Sequence, residues 1–222
     1  SNFSTALLIF MMSTMIIFIA GYKLKHLAVL VFLFTFLISS FLLAVNKFPE
    51  IIPNRVDTWT NRIENFVNND IDDTTSYQIN RAKAAIANGK IFGVGAGKSS
   101  MKYVLPQSTS DFIFSIIAEE YGIIVSLIIL LLYVVLLFRI IITSYRSETK
   151  FGQLVSLAVG IPVVFQAFTN MAVAVQLIPV TGQPLPLVST GGTSIWITFL
   201  AMGILLSVSK NNLKYNTVVT DD

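Results

Sequence analysis

Long apolar stretches separated by short polar ones set the pattern of this chain. Residues 3–22 and 27–46 carry no charged side chain, and residues 151–209 form a run of 59 without Asp, Glu, Lys or Arg. A bilayer core takes about 20 apolar residues per helix, so uncharged runs of this length read as membrane spans. The pattern predicts five such helices, at 3–21, 27–46, 111–138, 152–177 and 194–209. The expected fold is an all-α membrane protein, a polytopic helical bundle with one large, partly helical outer loop at 47–110.

That loop has its own periodicity. Trp59, Ile63, Phe66 and Val67 recur at helical spacing, which suits an amphipathic helix on the membrane surface or a small satellite core. Ser76 is placed to cap a second helix at 77–88, with Tyr77, Ala82, Ala85 and Ile86 on one face and Gly89 ending it at C′. A second irregular segment, 178–193, contains three prolines and three glycines, yet no charge. Such a segment fits a re-entrant loop packed inside protein, with Ser189, Thr190 or Thr193 capping the last helix.

Composition narrows the function. Of 222 residues, 54% are hydrophobic and 12% charged, about half the charged share of a soluble domain. A soluble enzyme and a disordered chain are both excluded. Cysteine is absent and His26 is the single histidine, which excludes a Cys/His zinc site and disfavours a Ser-His-Asp triad. A net charge of +3 gives no reason to expect nucleic acid as a partner.

Charge position gives orientation. Lys23, Lys25, Arg139, Arg146, Lys150, Lys210 and Lys214 all fall on one side of the predicted spans, and the opposite short loop has none. The positive-inside rule puts 22–26, 139–150 and the C-terminus in the cytoplasm, and 47–110 and 178–193 outside. There is no signal-peptide pattern, and further spans are expected upstream of Ser1.

Four groups of residues carry candidate chemistry. Gly93, Gly95 and Gly97, followed by Lys98 and Lys102, make a loop whose backbone N–H groups suit an anion such as phosphate, or simply a flexible loop with solvated lysines. It is not a Walker loop, because three residues rather than four separate Gly93 from Gly97. Asp111 opens the third predicted span, where an acidic side chain complements the helix dipole or acts as a base. Ser115 and Glu119 follow at i+4 and i+8, so all three share one stripe. Glu119 and Glu120 lie roughly 12–14 Å farther along and are expected to face a cavity or a partner charge, not lipid. Gln166 and Asn170 form another i, i+4 pair, suited to interhelical hydrogen bonds or to a substrate.

At these residues the sequence resembles a known family. Gly93-Val-Gly-Ala-Gly-Lys-Ser-Ser-Met-Lys102, Leu105-Pro106 and Ser110-Asp-Phe-Ile-Phe-Ser-Ile-Ile-Ala-Glu-Glu-Tyr-Gly122 are similar to the G-x-G-x-G-x-S-x-x-K, LP, T-D-F-I-F-A and E-E-x-G signature of the SEDS family, which comprises FtsW, RodA and SpoVE. Asn170 and Pro179–Ser194 resemble its second signature, and Lys102 leans toward the FtsW branch. Ser110, Ser108, Arg81, Thr190 and Thr193 depart from it. Members have about ten spans, so the resemblance implies that this chain is the last five.

The resemblance implies a peptidoglycan glycosyltransferase of the cytoplasmic membrane. It would polymerise lipid II at the outer face during septal wall synthesis, with a class B penicillin-binding transpeptidase and divisome proteins as partners. Asp111 falls on the family's essential acidic residue. It would take the proton from the acceptor 4-hydroxyl, whose oxygen then displaces lipid pyrophosphate with inversion. Cations must stabilise that leaving group; Lys98, Lys102, Arg55 and Arg62 are the candidates. Gln78, Glu119, Gln166, Asn170 and Ser189 complete the expected substrate-binding set. If a metal takes part, the lack of a His/Cys cluster points to oxygen-liganded Mg²⁺ or Mn²⁺. Two rival readings are a lipid II flippase, with Glu119 and Glu120 relaying protons, and a noncatalytic scaffold that activates the transpeptidase.

Overall fold

The structure is a computed structural model that describes residues 3–47, 74–103 and 110–220. Its elements are α1 (Phe3–Ile19), α2 (Leu24–Lys47), α3 (Thr74–Gly89), a 3₁₀ turn (Met101–Tyr103), α4 (Ile113–Tyr145), α5 (Lys150–Ala174) and α6 (Gly192–Thr220). No strand occurs among the described residues. The all-α bundle follows from the apolar runs, since a backbone in lipid must satisfy its own hydrogen bonds.

Four stretches are long and apolar enough to cross a membrane: Leu24–Phe41, Ile113–Tyr145, Lys150–Ala174 and Gly192–Lys210. The first expected span is shorter, a 17-residue helix. The expected 111–138 helix begins later and runs on to Tyr145. The surface helix expected around Trp59 and Phe66 lies outside the described residues.

Helix α4 is not continuous. Its 33 residues would rise roughly 50 Å, against a hydrocarbon core of about 30 Å. Gly122, at φ 80° and ψ −179°, breaks it. The part after the break, 123–145, rises roughly 34 Å, the length of one span. Breaking a helix frees backbone groups, and the glycine-rich loop takes them up. Val94 N–H donates to the Glu119 carbonyl at 2.9 Å, Gly95 N–H to that of Glu120 at 3.0 Å, and Ile123 N–H to that of Lys90 at 3.0 Å. On the other side, the Ser126 hydroxyl donates to the Gly122 carbonyl at 3.0 Å.

Glycine permits this splice by its size. A Cβ on Gly89 would lie 1.8 Å from the Ala118 carbonyl oxygen, and one on Gly122 would lie 2.2 Å from that of Ile91. Helix α3 is therefore pressed against α4 at its C-terminal end. This corrects three expectations for α3. Gly89 is its last helical residue, and Lys90 takes the left-handed position at φ 47°. Ser76 lies inside the first turn, because the helix begins at Thr74. The buried face is Ile79, Ala82 and Ala85, whereas Tyr77 is exposed under the Arg81 guanidinium.

Helices α4, α5 and α6 pack around two apolar clusters. One joins Phe114 and Tyr133 to Ala167, Met171, Ala174 and Leu185; the other joins Ile140, Val164 and Leu205. Their outer faces carry exposed Leu127, Leu131, Phe138, Phe199 and Leu200, the arrangement expected where lipid is the solvent.

Candidate active site

A third cluster positions Asp111. Phe112 is fully buried among Ile79 and Ala82 of α3, Ile116 of α4, Val173 of α5 and Val180. It anchors the turn at 110–112 where these elements meet. Asp111 lies in that turn, two residues before α4, and is 9% exposed.

Hydrogen bonds fix its backbone from two sides. The Asn170 Nδ2 group donates to the Asp111 carbonyl at 2.7 Å and to the Gln183 carbonyl at 2.8 Å. The Ser189 hydroxyl donates to the Ser110 carbonyl at 2.6 Å and accepts from Leu185 N–H at 2.8 Å. The Ser110 hydroxyl donates to Asp111 Oδ1 at 2.8 Å. Oδ2 faces Gly182, where a Cβ would stand 3.6 Å away.

The segment 178–193 hangs on side chains of three helices. Gln166 Nε2 donates to the Pro184 carbonyl at 3.0 Å, Gln183 Nε2 to Thr5 Oγ1 of α1 at 2.7 Å, and the Tyr133 hydroxyl to the Pro186 carbonyl. Leu185 and Pro186 are fully buried. The irregular segment is thus packed against protein as far as Pro186, whereas Leu187 and Val188 are exposed. Helix α6 begins at Gly192, after Gly191, so Ser189 and Thr193 do not occupy the capping position; Ser189 is spent on Ser110 instead. A cavity of about 240 Å³ opens between α1 and α5, lined at one end by Thr5, Gln166 and Gln183.

The glycine-rich loop departs from expectation. Four of its N–H groups, on Gly93, Val94, Gly95 and Lys98, donate to the backbone carbonyls of Gly89, Glu119, Glu120 and Gly95. They offer no open nest for an external phosphate. The anion the loop does hold is the protein's own Glu119 carboxylate. Ser99 Oγ donates to Oε2, Ser100 Oγ to Oε1 at 2.9 Å and Met101 N–H to Oε2 at 3.3 Å. Glu119 is 1% exposed. The sequence pattern left a cavity and a partner charge both open for it; the structure surrounds it with a clasp of two hydroxyls and an N–H.

The remaining candidates are dispersed. Lys98 and Lys102 are exposed beside this clasp, Gln78 is half-buried on α3, and Arg55 and Arg62 lie outside the described residues. Asn170 and Gln166 spend their amide donors on backbone carbonyls and so act as struts of the site. Sequence reasoning did not find Tyr133, Gln183 or the Ser99 and Ser100 partners of Glu119. A glycine in the middle of a 28-residue apolar stretch was the available signal for the break at Gly122. Among the described residues, no three His, Cys, Asp or Glu side chains converge on a metal position.

Comparison with known proteins places this arrangement among relatives. The family model FTSW_RODA_SPOVE, described as cell cycle protein, matches residues 1–214. Stage V sporulation protein E of Bacillus subtilis (strain 168) is 36% identical over 195 residues, covering 87% of this chain and 50% of that protein. The probable peptidoglycan glycosyltransferase FtsW of the same organism is 31% identical over 211 residues, covering 94% and 52%. That of Enterococcus hirae is 41% identical over 139 residues, covering 62% and 35%. A solved structure described as "Structural coordination of polymerization and crosslinking by a peptidoglycan synthase complex" superposes with a TM-score of 0.65 at 26% identity, covering 89% of this chain and 52% of that one. The chain spans about half the length, or less, of these relatives.

Proposed function

The chain belongs to the FtsW/RodA/SpoVE family, and we propose that its protein is a peptidoglycan glycosyltransferase that polymerises lipid II at the outer face of the cytoplasmic membrane in septal wall synthesis. One observation carries the reading: the Asp111 carboxylate stands at the end of α4 on a backbone held by Asn170 and Ser189, with Oδ2 turned to a glycine.

A base in group transfer has to be held at a fixed distance from the proton it removes. Asp111 Oδ2 takes the proton of the acceptor sugar's 4-hydroxyl. The oxygen forms its bond to the donor's anomeric carbon as the bond to lipid pyrophosphate breaks, with inversion at that carbon. The pyrophosphate leaves as an anion, and Lys98, Lys102, Arg55 and Arg62 supply the positive charge that stabilises it. Gly182 leaves room for the sugar beside Oδ2.

The partner in this reading is a class B penicillin-binding transpeptidase, acting with divisome proteins. The resemblance to a peptidoglycan synthase complex supports it. The Lys/Arg distribution supports placing 47–110 and 178–193 outside and the C-terminus in the cytoplasm. A flippase with Glu119 as proton relay fits less well, because that carboxylate is engaged by three donors and cut off from solvent.

The test is reconstitution of the full-length protein with its transpeptidase in liposomes, measuring glycan polymer and lipid II translocation in parallel. Polymer formed from lipid II supplied on the active face, without translocation, is the expected result. Translocation without polymer supports the flippase. Loss of both activities with stimulated transpeptidase supports the scaffold.

A further inference from the structure

We infer that Glu119 is a positioning residue for the cationic turn at 98–102, acting through Ser99 on the backbone of Lys102, rather than a contact for substrate. The inference rests on the polymerase reading for what that turn does, and on geometry alone for how it is held.

The connection runs through three hydrogen bonds. Ser99 Oγ donates to Glu119 Oε2 and accepts from Lys102 N–H at 3.0 Å. Met101 N–H donates to the same carboxylate oxygen. The turn from Ser99 to Lys102 is thus wrapped around one buried anion. Met101 also packs against the Phe112 cluster, whose central residue adjoins Asp111. The base therefore precedes the first turns of α4, and the anchor of the lysine turn sits two turns along. The rigid helix between them sets the separation of the proton acceptor from the charge meant for the leaving group.

A carboxylate suits this task because it only accepts. It can meet two hydroxyls and one N–H together, and charge-assisted bonds of this kind are the stronger class. Glutamine has the same size and can keep its oxygen toward Ser99 and Met101, with its amide nitrogen toward a rotated Ser100 hydroxyl, but it carries no charge, so the bonds fall to the weaker neutral class. Loss of the clasp loosens the turn from Ser99 to Lys102 and leaves the Asn170 and Ser189 ties at Asp111 and Ser110 in place, so substrate capture and turnover should separate.

The test uses the full-length protein with its transpeptidase. Glu119→Gln, Ser99→Ala and Ser99→Thr are compared for polymerisation rate against lipid II concentration, alone and combined with Lys102→Gln. Expected results are a KM raised about tenfold with kcat within threefold for Glu119→Gln and Ser99→Ala, and near-normal values for Ser99→Thr. In the Lys102→Gln background, Glu119→Gln should add less than twofold, because both changes remove one device. Additive effects, or a fall in kcat at unchanged KM, would overturn the proposal. Hydrogen exchange gives a second readout that needs no activity. The Met101 and Lys102 amides should exchange at least tenfold faster in Glu119→Gln, with 123–145 unchanged. Unchanged exchange there overturns the clasp. Absence of polymer from the wild type with accelerated exchange in the variant would instead sink the polymerase reading and leave the clasp standing.

Discussion

The side-chain amide of Asn170 reaches the backbone carbonyl of Asp111 at 2.7 Å, across 59 residues of sequence. The same nitrogen holds the Gln183 carbonyl. One side chain of α5 therefore fixes both the candidate base and the segment that lies against its carboxylate.

Asn170→Ala removes both bonds, and Asn170→Asp turns an acceptor toward two carbonyls. Leaving buried carbonyls unpaired costs about 1–3 kcal/mol, which a multi-span protein can bear. Misplacing a catalytic group by about 1 Å can cost on the order of 100-fold in rate. Both variants are expected to fold and to lose polymerisation by about that factor, Asn170→Asp at least as severely as Asn170→Ala. Thermal unfolding in detergent and a polymerisation assay on the same preparation check this.

Gly182 has a left-handed backbone, φ 68°, and faces Asp111 Oδ2. Alanine there costs roughly 1–2 kcal/mol of backbone strain and places a methyl group beside the carboxylate. The expected outcome is a folded protein with a raised KM for lipid II, read from initial rates of polymer formation.

The splice at the helix break gives a stability prediction with an internal control. Gly122→Ala must take a backbone conformation that is nearly glycine-only and meet the Ile91 carbonyl at 2.2 Å, a loss of about 3 kcal/mol or more. Gly89→Ala, at 1.8 Å from the Ala118 carbonyl, should fare no better. Gly203→Ala on α6 meets nothing within 4 Å and should be neutral or gain up to about 1 kcal/mol. Yield of folded protein after detergent extraction, and its melting temperature, should place Gly203→Ala well above the other two.

Tyr133 reaches from α4 to the Pro186 carbonyl. Tyr133→Phe keeps the ring in its cluster and removes only the hydroxyl, a loss of about 1–3 kcal/mol from a buried bond. Amides of 178–193 should exchange faster, while those of α5 below Gln166 stay unchanged in hydrogen-exchange mass spectrometry.

The helices were legible because lipid imposes one simple rule, and uncharged runs at 27–46 and 151–209 obey it. Asp111 and Asn170 were legible as candidates because polar groups in apolar surroundings stand out, whereas Ser189 read as a helix cap and became a site candidate only through the family resemblance. What they do was less legible. Asn170 and Gln166 look alike in sequence whether they hold a substrate or a backbone carbonyl; only the tertiary path of 178–193 decides. Glu119 and Glu120 looked alike as intramembrane carboxylates because the break at Gly122 was not foreseen. With α4 continuous, the loop at 93–102 has nothing to splice into, and the clasp between Ser99 and Glu119 cannot be inferred. The three loop glycines suggested an anion site, and the anion was internal.

The central claim is that the Asp111 carboxylate removes the acceptor's proton. Its most direct test is lipid II polymerisation by the full-length protein with its transpeptidase, wild type against Asp111→Asn, with folding and complex formation measured alongside. Asparagine preserves the Ser110 contact and the backbone ties but has no basic oxygen. The account predicts no detectable glycan strands from an intact, partner-bound variant. Undiminished polymer from Asp111→Asn would contradict it and remove Asp111 as the base.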